Sequence, residues 1–452
     1  MSEQTTRYAI VGTGSRATLY IDAICGTYPG RCELVAMCDP SSVRISYHNR
    51  RLAGRHGHAE VPGYTAGEFG RMLAEHRPGV VIVTTVDAYH HAYIVAAMEH
   101  GCDVVSEKPM TTDAEKVAAI LAAIERTRRH LTVTFNYRYS AAATRVKQLV
   151  AEGAIGIPRL VDFSWMLDTS HGADYFRRWH REKPMSGGLL VHKASHHFDL
   201  INWWLDSWPA TVYAMGSLAF YGQEAAARRG ESYDYSRYTG HAGDTGEARD
   251  DPFALDLGRS PMLRGLYLDA EEQTGYLRDR NVFGENVSIE DTMVVSVRYR
   301  SGTLLSYSLV AYSPWEGLRV AITGDKGRLE LYERHGAHVI EDTPTGESAA
   351  AGTEQSVRLF PMFRPPAEIG IDSAAGPHGG DSQMLEQIFA PDPPADPWGR
   401  SASHLDGAAS VLLGDAANRS MAEGRPVAVD LPASREPSSP STAGRRTSSM
   451  PE

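Results

Sequence analysis

Short apolar runs recur through the first third of the chain, at residues 8–11, 34–38, 80–84, 103–106 and 131–135. Stretches with helical spacing separate them, such as 112–129, which opens Thr112-Asp113-Ala114-Glu115. Alternation of strand and helix over residues 7–139 predicts right-handed crossovers and a doubly wound parallel sheet. The pattern then changes. Residues 159–166 and 211–218 read as strands, and 292–300, 302–312, 318–323 and 327–332 form a close series with a hairpin turn at Ser301-Gly302. This half predicts a mostly antiparallel open sheet with few helices. Helical patterning returns at 381–389 and 402–423. Residues 222–290, rich in Gly, Asp, Arg and Tyr, read as an insertion over the second sheet. Residues 342–380 read as a Gly/Pro/Ala-rich loop, and the Ser/Pro/Arg-rich end from 433 as disordered.

Length agrees with this division. A chain of 452 residues exceeds one typical core, so a first domain at 1–140, a second α/β domain at 141–432 and a tail at 433–452 are expected. The net charge of −11 argues against a nucleic-acid partner, because no basic surplus exists to neutralise phosphates. No run approaches the length of a membrane helix, and no early stretch has signal-peptide form, so no membrane contact and a cytoplasmic location are expected. Cys25, Cys32, Cys38 and Cys102 lack metal-ligand spacing and read as reduced structural thiols.

The first strand runs into Gly12-Thr13-Gly14-Ser15-Arg16-Ala17. Gly12, Gly14 and Ala17 fill the three positions of G-x-G-x-x-G/A: a tight turn, close backbone approach to a pyrophosphate, and close helix–strand packing. The pyrophosphate would sit at the following helix N-terminus. Asp39 ends the next strand, where a carboxylate accepts ribose hydroxyls and repels a 2′-phosphate. NAD is therefore the expected cofactor. NADP stays open as the alternative, because Arg16, Ser41, Ser42 and Arg44 lie near enough in sequence to read its phosphate.

A second strand ends in Glu107-Lys108-Pro109. Here the chain resembles the glucose-fructose oxidoreductase / inositol dehydrogenase family (Gfo/Idh/MocA). Three further stretches carry the resemblance: Thr84-Thr85-Val86-Asp87-Ala88-Tyr89-His90, Phe135-Asn136-Tyr137-Arg138-Tyr139, and Gly187-Gly188-Leu189-Leu190-Val191-His192-Lys193-Ala194-Ser195-His196-His197-Phe198-Asp199. It spans about residues 7–220 and, more loosely, 288–335. It implies a Rossmann domain followed by an α/β domain with a large open sheet, and NAD(P)-dependent oxidation or reduction of a hydroxyl or ketone on a sugar, sugar derivative or cyclitol. It further implies that Thr85, His90, Glu107, Lys108 and Asn136 join Gly12, Thr13, Gly14, Ser15, Arg16 and Asp39 around the cofactor. One departure matters: the family's usual carboxylate on the glycine-led helix is His192 here. The catalytic set becomes Lys108, His192 and His196.

Oxidising a secondary alcohol removes a hydride from carbon and a proton from oxygen, and the proton needs a base. His192 and His196 are four apart, hence on one face of a helix. Imidazole titrates near neutrality, which favours His196 as base, with Lys108 steadying the developing alkoxide. Lys108, Tyr139, Arg178, Trp179, Lys193, His196 and His378 are candidate substrate contacts, with Tyr175 and His180 beside them and Trp315-Glu316-Gly317 at the rim. His192, His196 and His197 lie close enough to suggest a metal, but no further ligand is evident and none is expected. A redox glycosidase remains the alternative: transient oxidation at one ring carbon, elimination of the glycosidic group, hydration and re-reduction. His192 as an added acid/base group and an insertion able to shape an aglycone pocket favour it. A homodimer or homotetramer is expected if the open sheet exposes an apolar face.

Overall fold

The structure, a computed structural model, describes residues 5–243, 245–336, 354–371 and 380–431. Six strands build the first sheet: β1 (Thr6–Val11), β2 (Cys32–Cys38), β3 (Gly63–Tyr64), β4 (Val80–Val83), β5 (Asp103–Ser106) and β6 (Leu131–Val133). Their order is β6-β5-β4-β1-β2-β3, all parallel. Ala9–Val11 and Val81–Val83 are buried without a break, because helices cover both faces. The order reverses between β1 and β4, which opens the crevice where doubly wound sheets bind ligands.

The second sheet contains β7 (Pro158–Asp168), β8 (Pro209–Ser217), β9 (Thr292–Tyr299), β10 (Leu304–Ser313), β11 (Glu316–Gly324), β12 (Gly327–Gly336), β13 (Glu354–Pro361) and β14 (Ala367–Ile369). It is antiparallel except between β7 and β10. Residues alternate buried and exposed along β9 and β10, so one face packs and one faces water. That outer face is polar where it is concave: Ser164, Ser306, Ser308, Arg319, Arg328 and Glu330 line a groove of about 520 Å³. Beyond the groove the same face carries apolar side chains, among them Leu160, Tyr213, Met215, Val294 and Leu304.

Two short strands close the ends: β15 (Ala402–Ser403) pairs with β6, and β16 (Val427–Ala428) with β8. The helix His404–Glu423 runs between them and so ties the two sheets together. Ser403 starts it by accepting the Leu405 and Asp406 N–H groups. Beside it lies the helix Ala194–Leu205, buried from Ala194 through Trp204. Buried Arg138 joins these layers, pairing with Asp199 at 2.6 Å and Asp406 at 2.9 Å.

Some expectations need correction. The stretch read as a loop over 342–380 contains β13 and β14; β13 buries little besides Val357, so its alternation is faint. The insertion does not lie only over the second sheet. Phe253 and Phe283 pack with Phe220 and Tyr221 near that sheet. The stretch 257–274 instead reaches the first domain. His378 and the tail from 433 lie outside the described residues. Among the described residues, no helix is long and apolar enough to cross a membrane. All four cysteines are buried and unpaired.

Candidate active site

The glycine turn is built for close approach. Gly12 has φ +87°, and a Cβ there would lie 2.7 Å from the Thr84 carbonyl and the Thr85 nitrogen. The turn is braced by Asp39, whose carboxylate accepts Thr13 N–H at 2.7 Å and Ser41 N–H at 2.9 Å. A carboxylate has about four acceptor sites, so Asp39 keeps capacity for ribose hydroxyls. Thr13 Oγ1 is buried without a hydrogen-bond partner among the described residues. These features fit a dinucleotide, which Gly12, Thr13, Gly14, Ser15 and Asp39 would hold.

Arg16 goes elsewhere. Its guanidinium pairs with Glu107 at 2.5 Å and Asp381 at 3.2 Å, and Glu107 also takes the Tyr20 hydroxyl at 2.6 Å. Asn136 donates to the same Asp381 at 2.9 Å. Arg16 thus has two carboxylate partners within the protein. His90 is also committed: its ring nitrogens meet the Pro109 and Thr85 carbonyls at 2.9 and 3.1 Å. It braces the loop after β4 against the lysine-bearing strand end, leaving no ring nitrogen for a cofactor.

Lys108 follows β5, beside the crevice. Its Nζ donates to the His192 carbonyl at 3.3 Å. Burial lowers its pKa to about 8, with Asp87 opposing and Lys193 assisting. The helical stretch expected around His192 and His196 breaks at Lys193 into Leu189–His192 and Ala194–Leu205. His192 Nδ1 meets Asp87 Oδ2 at 2.5 Å, across 105 residues of chain. Burial pushes the Asp87 carboxyl well above its ordinary range and His192 well below its own. Both thus lean toward their neutral forms. Tyr175, Trp179 and His180 wall in the His192 ring.

His196 stacks on Tyr137, with ring centroids 4.3 Å apart. Burial, then the charges of Lys108 and Lys193, hold it well below the ordinary histidine range. His197 bonds the Tyr307 hydroxyl at 2.8 Å and stacks on Trp165, a packing role. Lys193 lies over the Trp165 ring at 4.5 Å and donates to Tyr137 at 3.4 Å. Burial lowers it to about 8, opposed by Glu316. Glu316 itself meets His171 at 2.8 Å. Arg178 pairs with Asp174 at 2.9 Å. Tyr139 does not join this group: it packs under Arg400, and its neighbour Tyr137 makes the histidine contact. In the short 3₁₀ turn Asn136–Tyr139 the two tyrosines diverge.

Sequence reasoning missed Asp87 near the site, along with Tyr137, Trp165 and His171. For Asp87 a signal existed: an acid just past the carboxyl end of a parallel strand borders the crevice. Trp165 had none, because an aromatic at a strand position reads as core.

A dinucleotide cradle facing a buried lysine, an Asp–His pair and a second histidine defines an NAD-binding oxidoreductase. Residues 6–135 match the NAD-binding Rossmann fold of an oxidoreductase family, and residues 147–429 match that family's C-terminal alpha/beta domain. The chain belongs to this family, Gfo/Idh/MocA. It is similar to the Bacillus subtilis protein YteT, 34% identical over 422 residues, covering 92% of this chain and 96% of YteT. It is 28% identical over 214 residues to an inositol 2-dehydrogenase of Rhizobium meliloti, covering 47% of this chain and 59% of that enzyme. The fold is that of the Bordetella pertussis WlbA dehydrogenase in complex with NADH and UDP-GlcNAcA, with a TM-score of 0.61 at 18% identity, covering 95% and 100% of the two chains.

Proposed function

We propose that the protein is an NAD-dependent oxidoreductase acting on a secondary hydroxyl or ketone of a sugar, sugar derivative or cyclitol. The observation that carries this reading is the meeting of Lys108 with the Asp87–His192 pair beside the glycine cradle. Bound NAD supplies the hydride acceptor or donor. Lys108, lowered to about 8, is better matched to exchange a hydroxyl proton near neutral pH than His196, whose ring binds a proton poorly. The base role favoured for His196 on sequence therefore passes to Lys108. His196 orients the hydroxyl as a neutral partner, and the Asp87 carboxyl bound to His192 acts on Lys108 through its charge. Trp179 and Tyr137 offer aromatic faces to a ring, and Lys193 and Arg178 offer donors to its hydroxyls. The cysteine chemistry fits a reducing cytoplasm. A homodimer or homotetramer would bury the outer sheet face, where Leu160, Met215, Val294 and Leu304 are exposed.

The Asp87–His192 pair also supports the redox glycosidase, which needs a second group to protonate the departing oxygen while the first removes the acidified C–H. One assay separates the two. Free sugars, cyclitols and aryl glycosides are supplied with NAD, following NADH and aglycone together. Stoichiometric NADH from a free polyol, lost in Lys108→Ala, is the expected result. Aglycone release without net NADH would replace the dehydrogenase by the glycosidase.

A further inference from the structure

The insertion touches the cofactor cradle at three points. The Tyr267 hydroxyl accepts the Ser15 N–H at 3.0 Å and donates to Ser15 Oγ at 3.0 Å. Gln273 accepts from the Ser41 hydroxyl at 2.8 Å and donates to Ser42 Oγ at 3.0 Å. Arg44 donates to the Leu266 carbonyl at 2.8 Å. These partners are specific positions. Ser15 belongs to the glycine turn that faces the pyrophosphate, and Ser41 and Ser42 follow Asp39 at the ribose end. More than two hundred residues of chain separate each pair.

Tyr267 is held firmly there. It is 6% exposed, with Arg44 and Arg278 lying 5.4 and 5.1 Å from its ring centroid. Arg278 pairs with Asp174 at 2.9 Å, which places this cation beside Arg178. The Nε of Arg278 is buried without a hydrogen-bond partner among the described residues. A buried, unspent cationic donor beside the glycine turn suits an anionic group. The two arginines also hold the Tyr267 phenol below its ordinary pKa, against the push of burial.

We propose that the insertion forms a third wall of the cofactor site, in which Tyr267 fixes the Ser15 turn that faces the pyrophosphate, Arg278 contacts the pyrophosphate, Gln273 closes the ribose end, and together they slow release of the dinucleotide and reject a 2′-phosphate. Rejection follows from the contacts. A 2′-phosphate beside Asp39 would need Ser41, Ser42 or Arg44, and Gln273 and the Leu266 carbonyl already engage all three. Retention follows from position, since cofactor enters and leaves past side chains borne on a separate segment. The proposal rests on NAD binding and not on the substrate assigned above, so the two fail separately.

The test is nucleotide binding by the full-length protein, without turnover. NADH and NADPH affinities are measured by fluorescence titration, and NADH release by stopped-flow displacement, for wild type, Tyr267→Phe and Gln273→Ala. Tyr267→Phe keeps the ring and removes only the hydroxyl, so folding is preserved; thermal melting checks this. We expect Tyr267→Phe to weaken NADH binding and speed its release about tenfold, as for one lost hydrogen bond bracing an anion site. We expect Gln273→Ala to narrow the NADH-over-NADPH preference by a similar factor. Release and preference within about twofold of wild type in both variants would overturn the proposal, leaving the contacts as domain docking alone. Tighter NADH binding by Tyr267→Phe would also overturn it, since the phenol would then be a plug.

Discussion

The two ends of the cofactor crevice are assembled in opposite ways. At the phosphate end, Gly12, Thr13 and Asp39 come from one β-α-β unit and brace one another within 26 residues of chain. At the reacting end, Asp87 and His192 meet across 105 residues, and their pairing depends on how the second domain packs on the first. The first end is a local conformational requirement, met by residues that tolerate a tight turn. The second is a requirement on charge in a buried space, and several residue sets can satisfy it. Here the loop after β4 brings the Asp87 carboxylate to His192.

Mutations should separate the two ends. The largest effect is expected from Lys108→Ala, which removes the group tuned to about 8 and should lower kcat about 10³-fold while NADH titration stays near wild type. Loss of cofactor binding in that variant would mean that the ends are not independent. Asp87→Asn keeps a side chain of the same shape but uncouples the proton shared with His192. A fall of about 10²-fold in kcat with little change in KM is expected, along with an altered pH profile. An unchanged profile would reduce Asp87 to packing.

Gly12→Ala probes the other end. A methyl group would press on the Thr84 carbonyl at 2.7 Å from a backbone with φ +87°, so NADH affinity should drop at least about tenfold. Isothermal titration measures this directly, and near-normal affinity would show that the crevice gives way. The last comparison needs no substitution: it is the wild-type pH dependence. Burial depresses Lys108, so its neutral, proton-accepting form grows as pH rises through about 8. Oxidation should therefore rise about tenfold per pH unit below that value and level off above it, with the reverse slope for reduction. A flat profile between pH 6 and pH 9, taken with a chemistry-limited substrate, would return the proton to another group.

Most of the first domain was legible because parallel strands buried on both faces leave continuous apolar runs, as in β1 and β4. The hairpin strands β9 and β10 were legible by alternation. β13 was not, because a strand that buries little more than Val357 carries no clear period. Lys108, His192 and His196 were visible as motif residues, but their electrostatic roles were not. Burial and mutual charge set those roles, and neither is written at any one position. Tyr139 and Tyr137 make the point at closest range: residues two apart, one at the site and one under Arg400.

The sequence by itself determined what depends on local geometry. It specified the glycine turn, the acid after β2, the lysine after β5 and the alternation that makes two kinds of sheet. Tertiary structure decided what depends on neighbours brought from far along the chain. It gave His192 its partner Asp87, spent Arg16 on Glu107 and Asp381, and carried Tyr267 to Ser15. The reason is physical. A backbone conformation is fixed by residues a few positions apart, whereas a proton affinity or an ion pair is fixed by whatever the folded chain places within a few ångströms.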